Sequence, residues 1–259
     1  MTDRPPPDDH DRALSAAFDG QAALFEKAPV QTDPEAIARL VRASDLAEGS
    51  SVLDAGCGPG LVSLAFLSAG QRVFGVDLSA EMIARARVRC SASGDRARFE
   101  RQSLFDPIAG APFDAAVSRY VLHHVADPSA FVRRQAELIR PGGILVLSDH
   151  TTDPDPALAA RHNAIERLRD RTHASNLSAG AIVDLFASAG IESIRSIEEP
   201  FTLDFDEWFD RGTPLAPKDE VRARVLAGPH ARGFRGVEGD GGRVTIHCWR
   251  AIVRGVVPR

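Results

Sequence analysis

Two rhythms alternate along the chain: short apolar runs, and stretches in which apolar residues recur every three or four positions. The first run, Ser51-Val52-Leu53, reads as a buried strand, since a β-branched residue suits a pleated surface. Leu61, Val62, Leu64, Ala65 and Leu67 follow at helical spacing. The pair then repeats. Residues 73–77 form a second strand, and 80–88 a helix that Ser79 can cap. Residues 97–105 are a third strand and its exit. Residues 113–125 are a fourth strand that turns into a helix. A helix over 128–139 stops at Arg140-Pro141-Gly142-Gly143, a tight-turn signal. Residues 144–148 are continuously apolar apart from Ser148, so this strand is covered on both faces. Strand and helix alternate five times, the pattern of a parallel, doubly wound α/β sheet.

The flanks depart from this rhythm. Residues 1–12 are polar and Pro-rich and read as a disordered tail. Residues 11–46 read as helices, with Ala13, Leu14, Ala17 and Phe18, then Ile37, Leu40 and Val41, at helical spacing. Asp33-Pro34 is an N-cap followed by Pro at the first helical position. This region is either a helical layer on one sheet face or a lid with Phe25 as an aromatic wall. Residues 151–176 are a charged insertion, helical over 157–170, just beyond a strand's C-terminal end, where it can cover a site. Residues 178–190 read as a helix, 191–197 as a sixth strand, and 205–227 as helical with Trp208 and Phe209 as anchors. A Gly-rich hairpin turn over 236–242 leads into a final alternating strand over 243–253.

With 259 residues, 44% hydrophobic and 26% charged, the chain can bury a sizeable core. A net charge of −5 gives no electrostatic case for nucleic acid or an anionic membrane, and no apolar run has the length of a membrane span. Cys57, Cys90 and Cys248 are odd in number and widely spaced, which fits neither a disulfide framework nor a zinc site. A cytoplasmic location, no membrane insertion and no metal are the expectations, with a monomer and a homodimer both open.

The candidate chemistry begins where the first strand breaks into glycines at alternate positions, Asp54-Ala55-Gly56-Cys57-Gly58-Pro59-Gly60. Such a strand–turn–helix brings backbone close to a cofactor at a helix N-terminus. A dinucleotide fingerprint would need glycine where Leu61 stands, and a phosphate loop would need Gly-Lys-Ser/Thr. Asp77 ends the second strand, where a carboxylate can accept hydrogen bonds from both ribose hydroxyls.

Four runs, VLDAGCGPG, VFGVDLSAEM, FDAAVSRYVLHHV and LIRPGGILVLSDH, resemble the class I methyltransferases that use S-adenosylmethionine. Within that class the chain is similar to the small-molecule enzymes of the ubiquinone/menaquinone-biosynthesis type. The resemblance implies a Rossmann-like, doubly wound, seven-stranded, mostly parallel sheet, its last strand antiparallel between the fifth and sixth. It divides the chain into the tail (1–12), a helical lid (13–48) and a methyltransferase domain (49–259), the last with a lid insertion over 151–176 and a helical segment over 204–228. It implies that Asp54, Ala55, Gly56, Cys57, Gly58 and Gly60 hold the methionine part of S-adenosylmethionine. Asp77 would hold the ribose, and Leu78, Met82, Ser103 and Leu104 the adenine. Arg119 and Phe25 would close the pocket. Met82 can equally be core filler, and Ser103 stands where similar enzymes often carry Asp.

Methyl transfer is an in-line displacement at a sulfonium carbon, so the protein mainly aligns the reactants. A general base is needed only when the acceptor must lose a proton. His150, at a strand's C-terminal end, and His173, in the insertion, are the first candidates. His124 and Tyr120 follow. Each histidine can instead be a local hydrogen-bonding or packing residue, and His162, on an apolar stripe, reads as a core histidine. The expected function is methyl transfer to O, N or C of a small organic acceptor. The alternative is a cofactor-binding protein of the same fold that acts as a non-methylating enzyme or partner subunit.

Overall fold

A computed structural model describes residues 9–259. Three helices, α1 (Asp9–Phe25), α2 (Pro29–Thr32) and α3 (Pro34–Ser44), precede the sheet. Of the expected tail, residues 1–8 lie outside the described residues, and 9–12 form the first turn of α1. Asp33 caps α3 by accepting from the Glu35 and Ala36 N–H groups, with Pro34 at the first helical position.

Strands β1 (Ser51–Ala55), β2 (Arg72–Asp77), β3 (Ala97–Arg101), β4 (Phe113–Arg119) and β5 (Ile139–Thr151) run parallel. Helices α4 (Leu61–Ser68), α5 (Ala80–Arg89) and α6 (Pro128–Glu137) cross between them. The second half contains α7 (Pro156–Arg169), α8 (Ala179–Ser188), β6 (Glu192–Asp204), α9 (Phe205–Asp210), α10 (Lys218–Leu226), β7 (Phe234–Glu238) and β8 (Val244–Val256). The sheet order is β3-β2-β1-β4-β5-β8-β6, with β8 antiparallel to both neighbours. Among the described residues no helix is long and apolar enough to cross a membrane.

Successive side chains of the central strands point to opposite faces. Leu53, Phe74, Ala116, Leu145 and Leu147 join one core with α6 and α8; Val52, Val73, Ala115, Val117 and Val146 join a second with α3, α4 and α5. A third cluster packs α7, α9 and α10 around the outer halves of β6 and β8, through Ile165, Phe205, Trp208 and Val221.

The sheet departs from expectation by an eighth strand. β5 pairs with β8 as far as Thr151 opposite Trp249, and β7 continues on the same side from Phe234 opposite Cys248. Residues 236–238 are therefore strand, and the turn is confined to 239–242. Residues 205–227 form two helices rather than one, because Gly212, Pro214 and Pro217 break the run. β4 leaves through a single tight turn over Leu122–His124 rather than a helix. β6 is longer than expected and reaches Asp204, since β8 offers partners along its whole length. Arg140-Pro141-Gly142-Gly143 lies within β5: the register jumps from Phe113–Ile139 to Ala115–Ile144, and the extra residues loop out.

That loop yields a stability prediction. A Cβ on Gly143 would lie 2.4 Å from Ile139 Cγ2 and 2.6 Å from the Asp114 carbonyl oxygen, whereas one on Gly142 (φ 77°) would meet only the Arg259 side chain. Gly143→Ala should lower the unfolding free energy by about 2–3 kcal/mol through overpacking. Gly142→Ala should lower it by about 1 kcal/mol through backbone strain. Urea unfolding measures both, and equal losses would refute the ordering.

Candidate active site

The strand order reverses between β1 and β4, and a crevice opens beyond the strands' C-terminal ends at such a point. A cavity of about 310 Å³ lies there. Its walls come from α1 (Asp11, Leu14, Phe18, Phe25), the glycine turn, the ends of β2 and β3, and the end of β4 with the turn after it.

The glycine turn is set by backbone geometry. At Gly56 (φ 75°) a Cβ would lie 2.6 Å from Val121 Cγ2, so only glycine lets the turn pass the β4 exit. At Gly58 (φ 52°) a Cβ would meet nothing within 4 Å, so the backbone there borders open space. The Gly58 N–H donates to Asp77 Oδ2 at 2.9 Å, and the Ser79 N–H donates to Asp77 Oδ1 at 2.9 Å. Helix α4 starts behind Gly60 with no side-chain cap, and Leu61 and Val62 of its first turn line the cavity.

Two carboxylates sit at this end of the sheet. Asp54 is 2% exposed and accepts from Ser63 Oγ at 2.5 Å. Burial pushes its pKa up to about 7; Ser63 opposes the shift and the Asp77 charge adds to it. Asp77 is also raised, by burial first, against the two backbone donors. Burial likewise holds the Cys57 thiol well above its ordinary range, so it stays protonated. Arg119 ends β4 and donates to the Gln31 carbonyl at 2.9 Å and the Val30 carbonyl at 2.7 Å, with its guanidinium 4.3 Å from the Tyr120 ring.

Helix α1 is fastened to α5 by polar contacts. Asp19 Oδ1 accepts from Ser79 Oγ at 2.6 Å and the Glu81 N–H at 3.1 Å. Ser15 Oγ donates to the Leu78 carbonyl at 3.0 Å, and Glu26 pairs with Arg85 and Arg89.

Of the residues expected to hold a cofactor, Phe25, Asp54, Gly56, Cys57, Gly58, Asp77, Leu78, Met82, Ser103, Leu104 and Arg119 line the cavity. Ala55 and Gly60 do not. Ala55 is fully buried in the sheet core, and a Cβ on Gly60 would lie 3.0 Å from Ala86 Cα, where α4 and α5 touch.

The histidines have distinct environments. His124 lines the cavity, meets Phe18 edge-on at 4.9 Å, and its Nδ1 donates to the Thr172 carbonyl at 3.1 Å. Its pKa is pushed down to about 3, by burial first. His173 donates from Nε2 to Asn163 Oδ1 at 2.8 Å and is pushed down to about 3 by burial. His150 packs against Tyr120 at 4.5 Å, and burial and the His123 charge hold it well below its ordinary value. Its Nε2 is buried with no partner among the described residues. His162 lies in the core and makes its contacts with Thr152 and Asn176.

His123 is different. Its Nδ1 donates to Asp149 Oδ1 at 2.6 Å, and its ring lies 4.1 Å from that of His124. Burial pushes its pKa down, but the Asp149 carboxylate outweighs burial and the net shift is upward. Asp149 itself is held low, since His123 outweighs the upward push of burial. Sequence reasoning passed over this pair, although its two members stand at the C-terminal ends of neighbouring strands, in LHHV and LSDH. Tyr120, which lines the cavity where His123 and Asp149 do not, has φ 57°, and its hydroxyl accepts from Arg250 Nη1 at 3.0 Å. A non-glycine residue held in that region stores strain of the kind that gathers at functional sites. Among the described residues no group of three or more His, Cys, Asp or Glu is placed to hold a metal ion.

Comparison with known proteins agrees with this arrangement. The family profile described as methyltransferase domain matches residues 30–196. The uncharacterized methyltransferase YcgJ of Bacillus subtilis is 28% identical over 208 residues, 78% of this chain and 81% of that protein. Its crystal structure superposes with a TM-score of 0.77 at 23% identity, covering 87% of this chain and 99% of that one. A ubiquinone biosynthesis O-methyltransferase of Xanthomonas campestris pv. campestris is 40% identical over 108 residues, 41% of this chain and 45% of the relative, so that likeness spans less than half of it. Phosphoethanolamine N-methyltransferase 2 of Haemonchus contortus, solved with phosphomonomethylethanolamine and S-adenosylhomocysteine, shares the fold with a TM-score of 0.61 at 15% identity, over 87% of this chain and 53% of that one. The profile match spans more than half of the sequence and falls on the cavity-bearing sheet: the chain belongs to the methyltransferase domain family.

Proposed function

We propose that the cavity binds S-adenosylmethionine and that the chain transfers its methyl group to O, N or C of a small organic acceptor. The observation that carries this reading is the pair of buried, upward-shifted carboxylates, Asp54 and Asp77, on one cavity wall. The cofactor brings a sulfonium and an ammonium, and a cation beside such carboxylates relieves the cost of their burial. The residues fit the rest of the molecule. The open side of Gly58 and the uncapped start of α4, with Arg119, suit its carboxylate. Asp77 retains lone pairs for the ribose hydroxyls, and Leu78, Met82 and Leu104 offer apolar surface to the adenine.

When bound, S-adenosylmethionine supplies an activated methyl group. The chain's own residues orient the reactants and exclude water: α1 through Phe18 and Phe25, and the cover formed by residues 13–48, 151–176 and 204–228. Where the acceptor must lose a proton, His123 is the base. Asp149 fixes its Nδ1–H and stabilises the imidazolium, which leaves Nε2 to accept. Burial disfavours the charged forms of His150, His173 and His124, whereas the Asp149 carboxylate favours that of His123.

Three outcomes test this function. Asp77→Ala should weaken S-adenosylhomocysteine binding by about 1–3 kcal/mol in calorimetric titration while the circular dichroism spectrum is retained. Unchanged affinity would refute the ribose assignment. Cofactor affinity should also rise with pH through about 7, because a cationic ligand favours the ionised Asp54. The free protein loses stability over the same rise, since its folded state binds the Asp54 proton more tightly than the unfolded chain. Asp54→Asn should flatten the pH dependence of affinity, and a slope that persists would assign it elsewhere. In a methyl-transfer screen of phenols, quinols, amines and carboxylates, His123→Ala should lower kcat on hydroxyl acceptors by about 100-fold or more with unaltered S-adenosylhomocysteine affinity. A full rate in the variant would rule His123 out as the base.

A further inference from the structure

Three residues of α1, Leu14, Phe18 and Phe25, are apolar and line the cavity. The residue after each of them makes a polar contact with the body of the domain: Ser15, Asp19 and Glu26. One residue is about 100° around a helix, so an apolar stripe and a polar stripe run side by side. Glu26 follows the last residue of α1, and its N–H still donates to the Ala22 carbonyl at 3.3 Å, which keeps the helical register. None of the three polar residues lines the cavity.

Each polar contact ends on a cavity residue or on a group that holds one. Ser15 Oγ reaches the carbonyl of Leu78, a cavity residue. Asp19 Oδ1 accepts from Ser79 Oγ at 2.6 Å and from the Glu81 N–H at 3.1 Å, so a carboxylate of α1 meets the positive end of α5. Ser79 is fully buried and caps α5. Its Oγ accepts from the Met82 N–H at 3.1 Å, and its own N–H donates to Asp77 Oδ1 at 2.9 Å. Because the Ser79 hydroxyl gives its one hydrogen to Asp19, a lone pair stays turned to Met82. Glu26 pairs with Arg85 and, at 2.5 Å, with Arg89. Arg89 Nε donates in turn to the Pro59 carbonyl at 2.8 Å, inside the glycine turn. Burial pushes the Glu26 pKa up, but Arg89 and Arg85 outweigh it and the net shift is downward. Two routes therefore leave α1: Asp19–Ser79–Asp77 to the end of β2, and Glu26–Arg89–Pro59 to the turn after β1.

We propose that Asp19 and Glu26 are positioning residues for the cofactor. Asp19 acts through Ser79 on Asp77, the ribose carboxylate. Glu26 acts through Arg89 on the glycine turn, which takes the methionine part. Seating α1 aligns both halves of the cofactor wall at once. A helix that only packed against the domain would influence the whole ligand evenly, whereas two separate routes influence two separate parts of it. This inference rests on the S-adenosylmethionine reading of the cavity.

Two ligands separate the routes: S-adenosylhomocysteine, and methylthioadenosine, which carries the same adenosine without an amino-acid group. Calorimetric titration gives both affinities. Asp19→Ala should weaken both ligands by about 5-fold or more. Glu26→Ala should weaken S-adenosylhomocysteine by about 5-fold or more and leave methylthioadenosine within about twofold of the native value. Asp19→Asn keeps an accepting oxygen and should bind both ligands as the native chain does. In an Asp77→Ala background, Asp19→Ala should cost nothing further, because the contact through which it acts is gone. Equal losses of the two ligands in both alanine variants, additive losses for Asp19 and Asp77, or native affinity throughout would overturn the proposal. A loss in Asp19→Asn equal to that in Asp19→Ala would overturn the hydrogen-bond route. If an alanine variant does not fold, amide hydrogen exchange of the native chain decides. S-adenosylhomocysteine should slow exchange along α1 by about 10-fold or more, and an α1 indifferent to it would sink the coupling. Failure of S-adenosylhomocysteine to bind the native chain would sink the cofactor reading instead, so the two failures are separable.

Discussion

The structure is arranged around the burial of Asp54, a carboxylate at the end of the central strand that forms no ion pair among the described residues. A group of this kind is tolerated only when surrounding atoms partly replace water. Ser63, one turn into α4, supplies that replacement, and it can do so only because the glycine turn folds α4 back over the end of β1. The same turn presents the Gly58 N–H to Asp77. One local backbone conformation therefore holds two acids in a low-dielectric site. The sheet on either side fixes the distance between the strands that carry them.

The other half of the crevice follows an opposite electrostatic logic. Where β4 and β5 end, acids and bases meet as partners: Asp149 with His123, Glu199 and Asp33 with Arg250, Asp170 with Arg169. Glu166 lies near His162 and is held far below its ordinary pKa. The glycine-turn side thus holds two buried acids whose ionisation burial disfavours, whereas the acids at the ends of β4 and β5 are paired with bases.

Much of the parallel half was legible in the sequence. Four of the five parallel strands (all but β3, Ala97–Arg101) are built on short apolar runs, and local spacing alone defines such a unit. The turn at Gly56–Gly60 and Asp77 stood out because their geometry is set by neighbouring residues. What was not legible depended on distant pairing. β7 is a strand only because β5 stops at Thr151 and leaves the edge of β8 open. The chemistry of the histidines was hidden for the same reason. His123, His124, His150 and His173 look alike in sequence, and only the register of β4 with β5 decides which of them meets a carboxylate. Ala55 and Gly60 stand outside the cavity lining, because a motif gives the order of residues but not which of them border the open space.

The position of β8 has a consequence for how the molecule is made. It lies between β5 and β6, yet it is synthesised after both. A nascent chain that has reached β7 therefore holds two strands with unfilled edges and no direct hydrogen bonds to each other. Arg250 arrives on this late strand, and with it the contacts to Tyr120, Asp33 and Glu199. The parallel half of the sheet can assemble as the chain emerges from the ribosome. The contacts that Arg250 makes around Tyr120 wait for the final strand to thread into place, so a truncated or stalled product would carry the glycine turn without them.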